Sequence, residues 1–310
     1  MQWSQIKTLF ILCFLILDIY LIFQFIEKQQ AANIGLLERE EITLEQQLKD
    51  DDITIENIPE QRVEESFIKI RQKAFTKEDR NRLAKLPNQE AVVMNENHLI
   101  ISQFKEPIDL PDKVTEEQLQ EIIHPYILYG DEYRFGEWNK EKNVIYFFPI
   151  KNGRPVYFNP SGIIVFYLND KNKIVLYTQT RLDKAEINSE KKPLIHPVEA
   201  VGRLYNNQLI ASGDTVNKLT VGYQTAVPLS DGVQVFVPTW KITVNKEKSF
   251  YVNATEGVVF PSGDEDFLAE QLSNLLNRMN LPNKNVTWKT TVIDMLESKM
   301  RDLKKRSETK

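Results

Sequence analysis

The sequence is poor in the residues that most often carry chemistry. It has one cysteine, Cys13, which lies inside an apolar run, so the polar remainder can have neither a disulfide framework nor a thiolate nucleophile. Cys13 is not a lipidation site either, because Ile11 and Leu12 precede it within the run. The three histidines are His98, His124 and His196. None stands in a His-x-x-x-His or His-Glu-x-x-His arrangement, and no metal site is expected. Glycine is scarce, 11 in 310 residues. There is no Gly-x-Ser-x-Gly elbow and no phosphate-cradling glycine loop. Positive charge is not in excess: the net charge is -5, which argues against nucleic acid as a partner. The carboxylate pairs Asp51-Asp52 and Glu64-Glu65 lie in polar segments and read as solvated faces. These absences point to a protein that is not an enzyme and holds no cofactor, catalytic residue or metal.

What the chain does have is a 21-residue apolar run, Ile6 to Ile26, interrupted by one carboxylate, Asp18. At about 1.5 Å rise per residue such a helix spans about 30 Å, the thickness of a bilayer core. A cleaved secretory signal would be shorter and end in small residues. Here Phe23-Gln24-Phe25-Ile26 is bulky, and Gln30 would occupy the -3 position of a cut after Ala32. The expectation is an uncleaved single-pass membrane anchor, with a short cytoplasmic N-terminus (1–5) and the rest of the chain outside. Lys7 and the α-amino group supply the weak charge bias for that orientation. A carboxylate at mid-membrane costs about 2.5–3.5 kcal/mol on insertion scales and usually faces a partner. On a helix Ile11, Phe14, Asp18, Leu21 and Phe25 recur at spacings of 3, 4, 3 and 4, one heptad-like seam centred on Asp18. These five are the expected membrane contacts with a partner helix.

The composition of the remainder, with 27% charged and 10% aromatic residues, is that of a folded chain. Residues 27–52 are polar and helix-prone. Ile34, Leu37, Leu44 and Leu48 mark one apolar face, either of a juxtamembrane helix or of a solvated stalk. Residues 53–112 read as a mixed lead-in, with strand-like runs at 65–75 and 90–104 and a helix near 76–86 opened by Thr76 and Asp79.

From 113 a pattern appears twice. Thr115 opens a helix (115–128) followed by strands at 132–138 and 144–150. Pro197 opens another (197–208) followed by strands at 216–227 and 233–244. Each unit closes alike, Tyr157-Phe-Asn159-Pro-Ser-Gly162-Ile-Ile-Val-Phe166 and Tyr251-Val-Asn253-Ala-Thr-Glu-Gly257-Val-Val-Phe260, read as strand, Asn/Gly turn, strand. Pro149 and Pro238 interrupt apolar strands as at a bulge or edge. The expected fold class is α+β: a transmembrane helix, then two related helix-plus-antiparallel-sheet units at 113–182 and 183–262. The tail, 263–310, reads as helical. Phe267, Leu268, Leu272, Leu275, Leu276 and Met279 form one face, Pro282 ends the helix, and a second runs from Thr291 to about Lys305. Of the histidines, His196 stands where it can cap the second helix and His124 near the end of the first. Trp240 is a candidate extracellular contact, with core packing as its competing role.

The run Gln2-Trp3-Ser4, Lys7-Thr8 and Phe14-Leu-Ile-Leu-Asp18, together with 196–210, 238–242 and 250–260, resembles the YycH/YycI family of two-component regulatory proteins, over roughly residues 1–262. The resemblance implies a bitopic membrane protein acting with a YycH-like companion on the sensor histidine kinase YycG (WalK), which controls cell-wall metabolism, and it implies no catalysis. The segment 251–260 is also similar to the end of PepSY-type domains. Two alternatives stand beside the kinase regulator: a PepSY-like modulator of an extracellular protease, and a surface-anchored cell-wall enzyme. The sign of control over the kinase, any sensed ligand and the face that meets the companion are not encoded in a recognisable motif.

Overall fold

The computed structural model describes residues 7, 10–24, 44–59, 62–111, 113–187, 190–228, 232–260, 263–280 and 287–307. Two large, mainly antiparallel sheets dominate, and helices cover them unequally. The first has seven strands: β4 (Gln89–Met94), β5 (Leu99–Ile108), β6 (Tyr133–Asn139), β7 (Val144–Lys151), β8 (Arg154–Pro155), β9 (Ile164–Leu168) and β10 (Ile174–Gln179). Their order is β4-β5-β10-β9-β7-β6, with β8 also on β7. The second has six: β1 (Thr54–Ile55), β3 (Ile68–Arg71), β11 (Glu186–Ile187), β13 (Thr215–Pro228), β14 (Val233–Val244) and β15 (Lys248–Asn253). Their order is β1-β13-β14-β3-β11, with β15 also on β14. A small ladder joins β2 (Glu64–Glu65) to β12 (Lys192–Pro193).

The lead-in segment is thus woven into both sheets, β1 and β3 into one and β4 and β5 into the other. Local periodicity marks strands but not distant neighbours, so nothing in 53–112 announces these pairings.

Alternation builds two cores on the first sheet. Ile145, Phe147, Ile164 and Phe166 face α1 (Lys77–Leu83) and α2 (Glu116–Ile123) through Leu83, Leu119 and Ile123. Val144, Tyr146, Val165 and Tyr167 point the other way, onto the tail helices α4 (Gly263–Asn280) and α5 (Lys289–Ser307). Covered on both faces, β9 is buried throughout and β7 nearly so, which is why both read as continuous apolar runs. The expected tail face is seated here: Phe267, Leu268, Leu272, Leu275 and Met279 are all buried. Both N-terminal helix starts carry a capping box, Thr76 with Asp79 and Thr115 with Gln118. The first of the two repeated helices is shorter than its sequence suggests. It ends at Ile123, and His124-Pro-Tyr126 tightens into a 3₁₀ turn because Pro125 cannot donate to continue the ladder.

On the second sheet, Trp240, Ile242, Val244 and Phe250 face α3 (Pro197–Asn206) and a helical segment at 44–50. Leu48 is 2% exposed, so this part of the 27–52 stretch is docked rather than a free stalk; Ile34 and Leu37 lie outside the described residues. Gly202 permits the crossing, because a Cβ there would lie 2.4 Å from Leu44 Cδ2.

The two prolines occupy matching places. β7 pairs with β9 through Val144–Phe147 and with β8 from Ile150, and Pro149 falls in the gap. β14 pairs with β3 through Val233–Phe236 and with β15 from Thr239, and Pro238 falls in that gap. Each carbonyl accepts from the second neighbour (Val156 N to Pro149 O, Ala254 N to Pro238 O, both 2.9 Å). The missing N–H therefore faces a change of partner, where no ladder bond is lost. The closing turns match as well. Asn159 Oδ1 accepts from Ser161 N and Asn253 Oδ1 from Thr255 N, while Gly162 and Gly257 donate back to the two asparagine carbonyls. They differ on both sides: Tyr251 is in β15, whereas Tyr157 is in a turn rather than the expected strand, and β9 follows the first turn whereas only a single bridge, Val259 to Val252, follows the second.

Candidate functional site

The sheets meet where β8 touches β13. Val156 bridges Tyr223, and Tyr157 N donates to Tyr223 O at 2.8 Å. Gly222 leaves room for the Tyr157 ring, since a Cβ there would come within 2.4 Å of it and 2.6 Å of Pro155 O. The two tyrosines from the matching closing segments, Tyr157 and Tyr251, pack with ring centroids 5.0 Å apart. Beside this joint opens a cleft of about 770 Å³, walled by β6 on one side and by the uncovered face of β13, β14 and β15 on the other.

The centre of the cleft is an ion pair that the sequence did not announce. Lys241 Nζ lies 3.9 Å from Glu137 Oε2, donates to Gly136 O at 3.3 Å, and stands 6.0 Å from the ring centroids of both Tyr157 and Tyr251. Burial lowers the lysine's pKa against the pull of Glu137. Burial likewise raises that of Glu137 against the pull of Lys241. Gly136 is the extra residue of a bulge in β6, and a Cβ there would strike the Phe148 ring at 2.3 Å. Lys241 follows Trp240 in a strand, so period-2 reading places it on a solvated face. Only the far sheet, assembled from distant segments, covers it.

The residues expected to act separate into two places. Ile11, Phe14, Asp18 and Leu21 lie on the described helix at 10–24, all exposed, Ile11 at 66%; Phe25 lies outside the described residues. Among the described residues no helix is long and apolar enough to cross a membrane; the described part of this one has fifteen residues, against about twenty needed. Trp240 is not a surface contact. It is 2% exposed, and its indole N–H donates to Ile195 O at 3.1 Å, so core packing claims it. His196 precedes α3 but makes no side-chain cap, and its buried Nδ1 has no partner among the described residues; the extended backbone and Pro197 start the helix instead. His124 Nε2 lies 3.4 Å from Asp131 Oδ1, in an exposed pair. Among the described residues no three His, Cys, Asp or Glu side chains gather as a metal-ligating group.

The described residues thus form a scaffold of two large sheets with a polar cleft beside their joint. The sequence profile of the family described as YycI protein matches residues 33–255, more than half of the chain, and the chain belongs to that family of regulatory accessory proteins. The helical tail from 263 lies beyond the match. No curated protein matches. Among solved structures, an uncharacterized protein from Eubacterium rectale aligns with a TM-score of 0.40 at 12% identity, covering 68% of this chain and 91% of that one. The YpeB C-terminal domain of Bacillus megaterium aligns at 0.34 and 10%, covering 60% and 96%. YycH from Bacillus subtilis aligns at 0.38 and 12%, covering 65% of this chain and 54% of that one.

Proposed function

We propose that this chain is a membrane-anchored accessory regulator that, with a YycH-like companion, modulates the YycG/WalK sensor histidine kinase controlling cell-wall metabolism. Family membership carries the reading. In it, the chain is a single-pass membrane protein, N-terminus cytoplasmic, with its two related α+β units (113–182 and 183–262) outside. The matching places of Pro149 and Pro238 and the matching asparagine turns support the relatedness of those units. The seam Ile11, Phe14, Asp18, Leu21 and Phe25 meets a partner helix, and the protein works by contact rather than catalysis. A kinase dimer switches when an added helix binds one of its states better than the other; about 1.4 kcal/mol of difference moves that balance tenfold.

The test is in-cell cross-linking of the full chain to the kinase, wild type against Asp18→Leu. An interhelical hydrogen bond of about 0.6–2 kcal/mol predicts association lower by roughly 3- to 30-fold, with altered kinase output. Unchanged association and output would make Asp18 incidental. No association of the wild type would overturn the kinase reading itself.

A further inference from the structure

The cleft between the sheets contains polar groups that the fold leaves incompletely paired. The Lys241 ammonium has three donors. It has one acceptor at 3.3 Å, the Gly136 carbonyl, and the Glu137 carboxylate at 3.9 Å is beyond hydrogen-bond reach. The indole N–H of Trp138, on the same wall, has no acceptor among the described residues. An inward lysine at a sheet edge is a known guard against unwanted pairing. That role accounts for Lys241 beside Gly136. It does not account for a half-buried glutamate next to it or for a space of about 770 Å³.

The wall itself is an unfinished sheet. Among the described residues β6 has one hydrogen-bonded neighbour, β7, so its other edge is open. Gln120 Nε2 donates to Tyr133 O at 3.2 Å and closes the start of that edge. The stretch 135–138 lines the cleft. Lys241 holds the Gly136 carbonyl at the bulge, and the backbone on the rest of this open edge is answered by another extended backbone rather than by a compact small molecule. The facing wall is cationic in the same place: Lys218 and Lys241 share one face of β13 and β14, two residues apart in register. The cleft volume is within the ~300–1,000 Å³ of ordinary ligand sites.

We propose that this cleft is a peptide-binding site, in which an extended peptide adds to the open edge of β6 at 135–138 and places a carboxylate on Lys241. The ligand class is an acidic extended peptide. Lys241 gains the acceptor it lacks. Burial raises the pKa of Glu137, which lessens its repulsion of an incoming carboxylate. The inference concerns binding by this chain and does not depend on the kinase.

The test uses the full chain in detergent micelles and a synthetic pool of random heptapeptides with a central aspartate. The pool is read by mass spectrometry for enrichment on wild type over Lys241→Met. Enriched peptides should bind Lys241→Met at least about tenfold more weakly, the size expected for a charge-assisted hydrogen bond. They should slow amide exchange at 135–138. They should also fail when remade with alternate backbone N-methyl groups, an arm that needs no protein variant and holds even if Lys241→Met does not fold. No enrichment would overturn the proposal. So would equal binding to a folded Lys241→Met, equal binding of the N-methylated peptides, or protection confined to segments other than β6.

Discussion

The two sheets are built from the same kinds of strand but are covered differently. The seven-stranded sheet has helices on both faces, and its central strands have no residue left for anything but packing. Among the described residues the six-stranded sheet has helices on one face only. Its other face meets the first sheet at Tyr157 and Tyr223 and then turns away to line a cleft. A sheet closed on both sides can supply stability and position but no surface. A sheet closed on one side must keep polar residues such as Lys218, Thr220 and Lys241 on the other, and these are available to a ligand.

If that division is right, the largest loss of stability comes from the centre of the doubly covered sheet. Phe166 is fully buried, with rings of Phe147 and Tyr177 at 5.6 and 5.5 Å. Phe166→Ala should cost about 3–5 kcal/mol in urea unfolding of the full chain. A cost under about 1 kcal/mol would mean that this sheet is not the structural core. A smaller loss is expected at the joint. Gly222→Ala presses a methyl group onto the Tyr157 ring and the Pro155 carbonyl, and a backbone carbonyl yields little. We expect about 1–3 kcal/mol, together with faster amide exchange around Tyr157 and Tyr223. Normal exchange there with the same energetic cost would show that the strain is absorbed elsewhere and that the sheets are not joined through this glycine.

Much of each unit was legible because its elements are local. The strands expected at 132–138, 144–150, 216–227 and 233–244 stand at Tyr133–Asn139, Val144–Lys151, Thr215–Pro228 and Val233–Val244. Turn residues bound them, around a continuous apolar run in β7 and partial alternation in the others. The Thr76 cap was equally readable, since a capping box is spelled within four residues. What sequence could not supply was pairing between distant segments. β3 inserts beside β14, β5 beside β10, and the tail helices close a face built almost 100 residues earlier. The cleft depends on those pairings. Lys241 becomes a largely covered cation only when β6 arrives opposite it, and neither Glu137 nor Gly136 carries a local sign of that meeting. Trp240 was left between contact and core for the same reason, because its strand shows two alternating faces and only assembly decides which is inside.

The smallest effect probes a polar contact between the tail and the doubly covered sheet. Lys299 of α5 reaches back to the β6–β7 turn and donates to the carbonyls of Lys142 and Asn143 at 3.2 and 3.3 Å. Burial pushes its ammonium down to about 8, against the opposing pull of Asp170 and Asp302; Glu141 and Lys142 also border the site. In the unfolded chain the same lysine stays charged to about 10.4. Below about pH 8 both states hold the proton, and the folded state bears the full desolvation cost. Between about 8 and 10 the unfolded state binds more protons, so stability rises with pH. Above about 10 the buried tyrosines reverse the trend, because Tyr146 and Tyr251 are held neutral by burial while their unfolded counterparts ionise. The expected gain from pH 8 to 10 is on the order of 1–2 kcal/mol, reduced by partial solvent screening. Lys299→Met should flatten that rise and leave the fall above pH 10 in place. A rise of the same size in the variant would assign it to another group and remove Lys299 from the account of how the tail is seated.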